Sequence, residues 1–255
     1  MKSIIKIIFH DNVKSKVVII YFLMLALMSW TALLLEDNEA KANVTLLNIV
    51  LFIVPLMSLL YSTVYLYNAK EFIVLLLSQP LKRSQLWHSL FAGVSGSLSI
   101  AFLLGTGVPV LLYTNLATAR LVILLGVVIT FIFVALAFLT TTLTSDKTRG
   151  IGAAIMLWLF FTMIYDAVLM YLILVFADYP VEKAITTFLM LNPLDLARFQ
   201  VILKMDMAAM MGYSGAAFKQ LLGETWGMVI SIFVLFVWII VPYLLSLRIF
   251  KHKDL

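Results

Sequence analysis

Six long apolar runs separated by short polar stretches dominate the chain. A helix rises 1.5 Å per residue, so about 20 predominantly apolar residues cross the ~30 Å hydrocarbon layer of a bilayer. Runs of that length fall at 17–35, 46–67, 90–113, 121–143, 151–177 and 227–247. The pattern predicts an all-α polytopic membrane protein with six transmembrane helices, a single transmembrane domain over 1–255. Before the first run, MKSIIKIIFHDNVKSK divides on a helical wheel into Ile4, Ile5, Ile8 and Phe9 against Lys2, Lys6, His10 and Lys14. That division describes an amphipathic helix over 1–16 lying in the membrane interface; a basic N-terminus that only anchors topology carries the same charges. The first run is long, is followed by five more and has no processed leader pattern before it, so it reads as a retained signal-anchor span.

Composition agrees with the periodicity. The 255 residues are 64% hydrophobic and 12% charged, against about 45–50% apolar and about 25% charged in soluble domains. Twelve of the 18 Lys and Arg residues lie in 1–16, 68–89, 144–150 and 248–255, whereas the alternate short loops 36–45 and 114–120 hold one each. Positive short loops stay in the cytoplasm, which predicts cytoplasmic N- and C-termini. The net charge of +5 is accounted for by these anchors and forms no stripe suited to nucleic acid, so no nucleic-acid partner is expected. Pro55, Pro109 and Pro242 are expected to kink their spans or sit near span ends. The small residues of GVSGSLS and GTGVP in the third span permit close helix contact. There is no strong internal repeat of the kind found in many secondary transporters.

Segment 178–225 is the one sizeable outer region, and it opens a helix at LNPLDLARF. Asn192 can cap it, Pro193 suits its first turn, and Asp195 favours the positive helix end. The following ARFQVILKMDMAAMM is apolar on nearly every face and must be covered by the bundle, a partner or the lipid interface. After the turn signal GYSG, AAFKQLLGE predicts a second short helix.

Ionisable chemistry inside the spans is confined to Asp166, in FFTMIYDAVLMYL. A carboxylate at that depth is costly unless protonated or partnered. A single group does not make a proton relay, so Asp166 is expected to fix helix packing through Thr162, Tyr165 or a backbone carbonyl. The histidines, His10, His88 and His252, lie at the basic end, away from any serine of the outer leaflet. Cysteine is absent, which excludes disulfides and thiolate sites. Neither an HExxH helix nor a GxxxxGK[ST] loop is present. The chain is therefore read as a non-enzymatic subunit with no cofactor of its own; any ATP is bound by another polypeptide. Met190, Met205, Met207, Met210 and Met211 cluster in the outer segment. Thioether sulfur suits Cu(I), and Met207, Met210 and Met211 can share a helix side, but packing against a partner is the simpler reading of adaptable apolar groups.

The stretch NAKEFIVLLLSQPLKRSQLWHSL separates the second and third runs. Glu71 to Ser78 is too short to span, Pro80 stops it, and Lys82, Arg83, Trp87 and His88 rebuild an interface. A helix along the cytoplasmic membrane surface fits, either as an interfacial cap or as a coupling helix set in a groove of a soluble motor subunit. With six spans, this first cytoplasmic loop and a long last outer loop, the whole chain resembles the ABC-2 type permeases. Lys70, Glu71, Leu75 to Leu77, Pro80 and Arg83 keep the frame of that family's loop, while its Gly-Thr pair is absent, a departure from the drug-exporter branch.

Within the family, YNAKEFIVLLLSQPLKRS, IYDAVL, and LNPLDLARF followed by AAMMGYSGAAF are most similar to the permeases that support copper-centre assembly in nitrous oxide reductase. The resemblance implies a homodimer in the bacterial inner membrane, paired with a cytoplasmic ABC ATPase and a periplasmic β-helical protein. Glu71, Leu75, Pro80, Lys82 and Arg83 would contact the ATPase. Asn192, Pro193, Asp195, Leu196, Arg198, Phe199 and Leu203 would dock the periplasmic partner. Two functions remain open: transmission of ATP-driven motion to that partner, or a conduit for a lipid, drug or sulfur-containing molecule. The nearly uncharged spans favour transmission, because a hydrophilic ion path needs polar lining.

Overall fold

The computed structural model describes residues 2–36, 38–78, 81–176, 182–204 and 224–252, and within them all regular structure is helical. Six helices are long and apolar enough to cross a membrane: α2 (Lys16–Leu35), α3 (Glu39–Asn68), α5 (Arg83–Tyr113), α6 (Leu116–Leu143), α7 (Lys147–Val175) and α10 (through Gly227–His252). They are joined by α1 (Lys2–Lys14), α4 (Lys70–Leu77), α8 (Glu182–Leu191) and α9 (Pro193–Lys204).

Several helices begin earlier than the apolar runs, because hydropathy marks the hydrocarbon layer whereas helix ends are set by caps. The Asn38 side chain accepts from the backbone N–H groups of Ala40 (2.9 Å) and Lys41 (3.4 Å), opening α3 seven residues before the apolar run. Asn115 accepts from Ala117 at the start of α6, and Asp146 from Thr148 at the start of α7. Each satisfies an N–H that the first turn leaves without a partner.

At the centre stands α6, whose Ile129, Phe133, Val134, Ala137 and Phe138 are fully enclosed. It packs against α3 and α10, with α5 also alongside, while α7 is almost unburied along its length. Close approach is made by glycines. A Cβ on Gly126 would fall 2.1 Å from the ring of the fully buried Phe102. A Cβ on Gly105 would lie 3.0 Å from the Phe22 carbonyl oxygen on α2.

Pro109 acts through the turn before it. Its ring conflicts with the carbonyl four residues back, that of Gly105, and the chain answers with a π-helical turn at Leu103–Gly107. Beside that turn Ser29 Oγ donates to Thr106 Oγ1 at 3.1 Å, joining α2 to α5. Pro55 and Pro242 lie inside uninterrupted helices.

The N-terminal helix has the amphipathic division read from its sequence, but its apolar side turns onto α5 rather than resting on lipid alone. Ile8 is 1% exposed and sits over Gly93, where a Cβ would meet Ile8 Cγ2 at 2.4 Å. Trp87 also departs from expectation. Instead of an interfacial anchor it is a core residue, stacked on Phe250 (centroids 4.1 Å) with its indole N–H donating to Ser246 Oγ at 3.1 Å. A buried indole needs such an acceptor.

Replacing Gly93 with leucine should lift α1 off α5 at a cost of roughly 1–3 kcal/mol, the usual range for overpacking. Because the chain has no cysteine, an Ile8→Cys probe reports this directly. Maleimide labelling should be slow in the parent and fast beside Gly93→Leu; equal rates would refute the packing.

Candidate functional site

One end of the bundle gathers the termini-bearing segments. Ala69 closes α3 and opens α4, its N–H bonded to Tyr65 O and its carbonyl accepting from Ile73 N, both at 2.8 Å. The surface helix is thus joined to a span through one residue. Ile73 is buried and helps line a small cavity with Leu66, Trp87 and Phe250. Glu71, Phe72, Val74 and Leu75 face outward, Leu75 with 66% of its surface exposed. Glu71 and Leu75 are four residues apart and therefore share a face.

The rest of this end is braced. Lys147 Nζ donates to Asn68 Oδ1 (2.7 Å), and the Tyr67 hydroxyl bonds Thr144 Oγ1 (2.5 Å), tying the end of α3 to the α6–α7 turn. Lys82 caps α5 through its carbonyl and leaves its side chain exposed. Arg83 Nη1 donates to the Lys251 carbonyl at 3.2 Å, holding the start of α5 to the end of α10. Pro80 lies outside the described residues, as do Met207, Met210, Met211 and the AAFKQLLGE stretch up to residue 223.

A second constellation forms where α9 meets the spans. Asn192 is fully buried; its Oδ1 accepts from Leu194 N (3.0 Å), while its Nδ2 donates to Asp195 Oδ2 (2.9 Å) and to the Phe161 carbonyl (3.1 Å). Phe161 belongs to a π-helical turn, Phe160–Ile164 within α7. Such a turn shifts the hydrogen-bond ladder by one residue and presents a carbonyl sideways. Arg198 Nη1 then stands between two carboxylates, 3.4 Å from Asp166 Oδ2 on α7 and 3.6 Å from Asp195 Oδ1 on its own helix.

Asp166, Asp195 and Arg198, with Asn48, Thr162 and Phe161, border a cleft of about 180 Å³. Asp166 is not enclosed: its side chain is 41% exposed. Its partner is Arg198 rather than Thr162, which donates to the Trp158 carbonyl, or Tyr165, which donates to the Phe188 carbonyl. The ion pair fastens α9 to α7.

This geometry narrows the docking surface expected from the sequence. Asn192, Pro193, Asp195, Leu196 and Phe199 are buried within the chain, against α6, α10 and α3, and Arg198 points into the ion pair. Leu203 sits on the same helix. Much of this apolar helix is covered by its own bundle, so Asn192, Pro193, Asp195, Leu196 and Phe199 present little surface to a partner, while the Arg198 side chain keeps 30% of its surface exposed. Two further polar groups escaped the sequence reading. Gln200 is 1% exposed and neither amide atom has a partner among the described residues. Asn12, also 1% exposed, accepts from the Tyr61 hydroxyl and donates to the Ile8 carbonyl at 2.8 Å. A polar residue within an otherwise apolar helix face was the available signal in both cases. Among the described residues, no three His, Cys, Asp or Glu side chains converge as metal ligands do.

Asp195 lies outside the six spans, and its carboxyl is pushed up to about 7, first by burial and then by the Asp166 carboxylate, against the lowering influence of Arg198. A neutral Asp195 leaves Arg198 to Asp166, whereas ionisation puts two carboxylates around one guanidinium.

No protein-family model matches the chain. It is similar to two proteins named "Probable ABC transporter permease protein NosY". The one from Pseudomonas aeruginosa is 30% identical over 177 residues, 65% of this chain and 64% of that protein. The one from Stutzerimonas stutzeri is 28% identical over 170 residues, 60% of each. The chain thus spans somewhat under two thirds of the curated relatives it matches, and over that length it is NosY-like.

The Asp195 carboxyl gives a pH signature. With a folded-state pKa above the unfolded value of about 3.9, its stabilising contribution is complete below that value and disappears as pH rises through about 7. Thermal melts should show Tm falling over this window, with a shallower slope in Asp195→Asn; identical slopes would exclude the group. Arg198→Ala should cost roughly 1–3 kcal/mol above neutrality, between the limits for exposed and buried pairs.

Proposed function

We propose that this multi-pass, NosY-like membrane protein is the transmembrane permease subunit of an ABC transporter. In this reading a separate NosF-like cytoplasmic ATPase docks on α4 and hydrolyses ATP, and the permease passes the resulting motion to an outer partner. The observation that carries the reading is α4 itself: a short helix outside the bundle, fixed by Ile73, joined to α3 through Ala69 and presenting Glu71, Phe72, Val74 and Leu75. Exposed apolar side chains beside a charge suit helix-in-groove recognition by a soluble protein.

The finer assignment follows the relatives' name. A NosY-type permease would act in copper-site maturation of nitrous oxide reductase, in the bacterial inner membrane, with α4 and the termini cytoplasmic. It would work as a homodimer, for which the nearly unburied α7 offers a long apolar face. A NosD-like periplasmic β-helical protein would take the outer segment. Since most of the described α9 side chains are buried, the apolar groups open to that partner are those of α8, where Phe188 and Leu191 are exposed. Transmission is favoured over a hydrophilic conduit because Asp166, the carboxylate within the fifth apolar run, is engaged by Arg198.

The test is recovery of the ATPase on membranes containing Glu71→Lys or Leu75→Asp. Both variants should insert at parental levels, since neither side chain supports the core. The recovered ATPase should fall about tenfold or more, which corresponds to about 1.4 kcal/mol. Undiminished recovery together with undiminished coupled hydrolysis would remove α4 as the docking element.

A further inference from the structure

Another cleft, sharing Asn68 with the braced end described above, opens at the elbow between α1 and α2, on the side facing α3. Its volume is about 570 Å³, within the range of about 300–1,000 Å³ typical of ligand pockets. The fold holds it open by a specific bond chain. Asn12, buried on α1, binds the Tyr61 hydroxyl of α3 with its amide oxygen and the Ile8 carbonyl with its amide nitrogen. Ser15 N donates to the Asn12 carbonyl at 3.0 Å and turns the chain into α2.

The lining changes character with depth. At the rim stand Asp11 and Lys14, both exposed and three residues apart on α1, hence neighbours on one helix face. Neither has an ion-pair partner among the described residues. Asn68 completes the rim and holds Lys147 Nζ beside it. Below the rim, Tyr61 and Tyr65 lie stacked with ring centroids 6.1 Å apart. The remaining lining, Val17, Met57, Leu60 and Val64, is apolar, and Val17 continues onto the exposed Ile19 and Ile20 of α2.

That order, charges above and hydrocarbon below with an apolar exit along a span, is the profile of an amphiphile seated at a bilayer interface. A soluble anion would use only the rim. Adjacent opposite charges also select the headgroup. A phosphate satisfies Lys14, and an ammonium bearing N–H groups satisfies Asp11. A choline headgroup has no N–H for the carboxylate, and phosphatidylglycerol brings no cation to it. We propose that this cleft binds a phospholipid of the phosphatidylethanolamine type, its phosphate beside Lys14, its ammonium beside Asp11 and its acyl chains leaving along Val17 and α2. The site is independent of the permease assignment and stands or falls separately from it.

The full-length chain in detergent, titrated with palmitoyl-oleoyl phosphatidylethanolamine, phosphatidylcholine or phosphatidylglycerol and read by native mass spectrometry, tests the site. Phosphatidylethanolamine should be retained about tenfold better than the other two, as for one charge-assisted hydrogen bond. Asp11→Asn should erase its advantage over phosphatidylcholine, Lys14→Gln should weaken all three lipids, and Val64→Trp should fill the cleft and abolish retention with Tm little changed. Glycerophosphoethanolamine, which lacks acyl chains, should not displace the lipid. Equal retention of the three lipids, unaltered retention in Val64→Trp, or displacement by the soluble headgroup would each overturn the proposal. So would loss of a dimer mass in Val64→Trp without change in bound lipid, which would make the cleft a contact between copies of the chain.

Discussion

Hydrocarbon offers no hydrogen-bond partner to a carbonyl or an amide, so any departure from regular helix within the bilayer must be answered from inside the protein. The π-helical turn in α7 answers it with a side chain on a backbone carbonyl, and the turn before Pro109 has a polar side-chain contact to the neighbouring span. The turn before Pro109 is bordered by the Ser29–Thr106 hydroxyl pair from the neighbouring span. The turn in α7 places the Phe161 carbonyl on the amide of Asn192, a residue within the sequence's largest outer segment. The position of α9 follows from that bond, since the residue that meets the carbonyl also caps α9 and holds Asp195. The irregular part of α7 and the enclosed helix are one structural unit.

The same requirement explains the glycines. With lipid as apolar as the side chains, spans associate through close packing and polar contacts rather than through expulsion of water. Gly105 admits the backbone of α2, Gly126 admits the ring of Phe102, and Gly93 admits Ile8 of a helix that is not a span at all. The last contact turns the N-terminal helix from a membrane-surface element into a packed layer of the bundle. It thereby creates the α1–α2 elbow.

The sequence made the six spans legible because their signal is additive over about 20 residues and insensitive to tertiary detail. The amphipathic start and the short helix at Glu71 were legible for the same reason, each being a local pattern. Contacts between distant segments were not. Nothing in IYDAVL names Arg198 as the partner of Asp166, because the pairing depends on α9 folding back against α7 across 32 positions. The apolar surround of α9 showed that the helix needed cover, but periodicity cannot distinguish cover by a neighbouring span from cover by another protein. Trp87 misled in a similar way: a tryptophan beside basic residues matches an interfacial belt, and only the placement of Ser246 and Phe250 reveals a core position.

The single-residue joint at Ala69 has a mechanical consequence. From Ala69 to Asn48, which borders the Asp166–Arg198 cleft, α3 runs for 21 residues, a rod of about 32 Å at 1.5 Å per residue. Tilting such a rod by about 5° about its Ala69 end displaces Asn48 by about 3 Å, given that rise. The separation that defines the Arg198–Asp166 pair is 3.4 Å, so a leverage of a few degrees at one face of the membrane is commensurate with making or parting an ion pair at the other. Pro55 lies between fulcrum and load, and α3 continues through it as one unbroken helix.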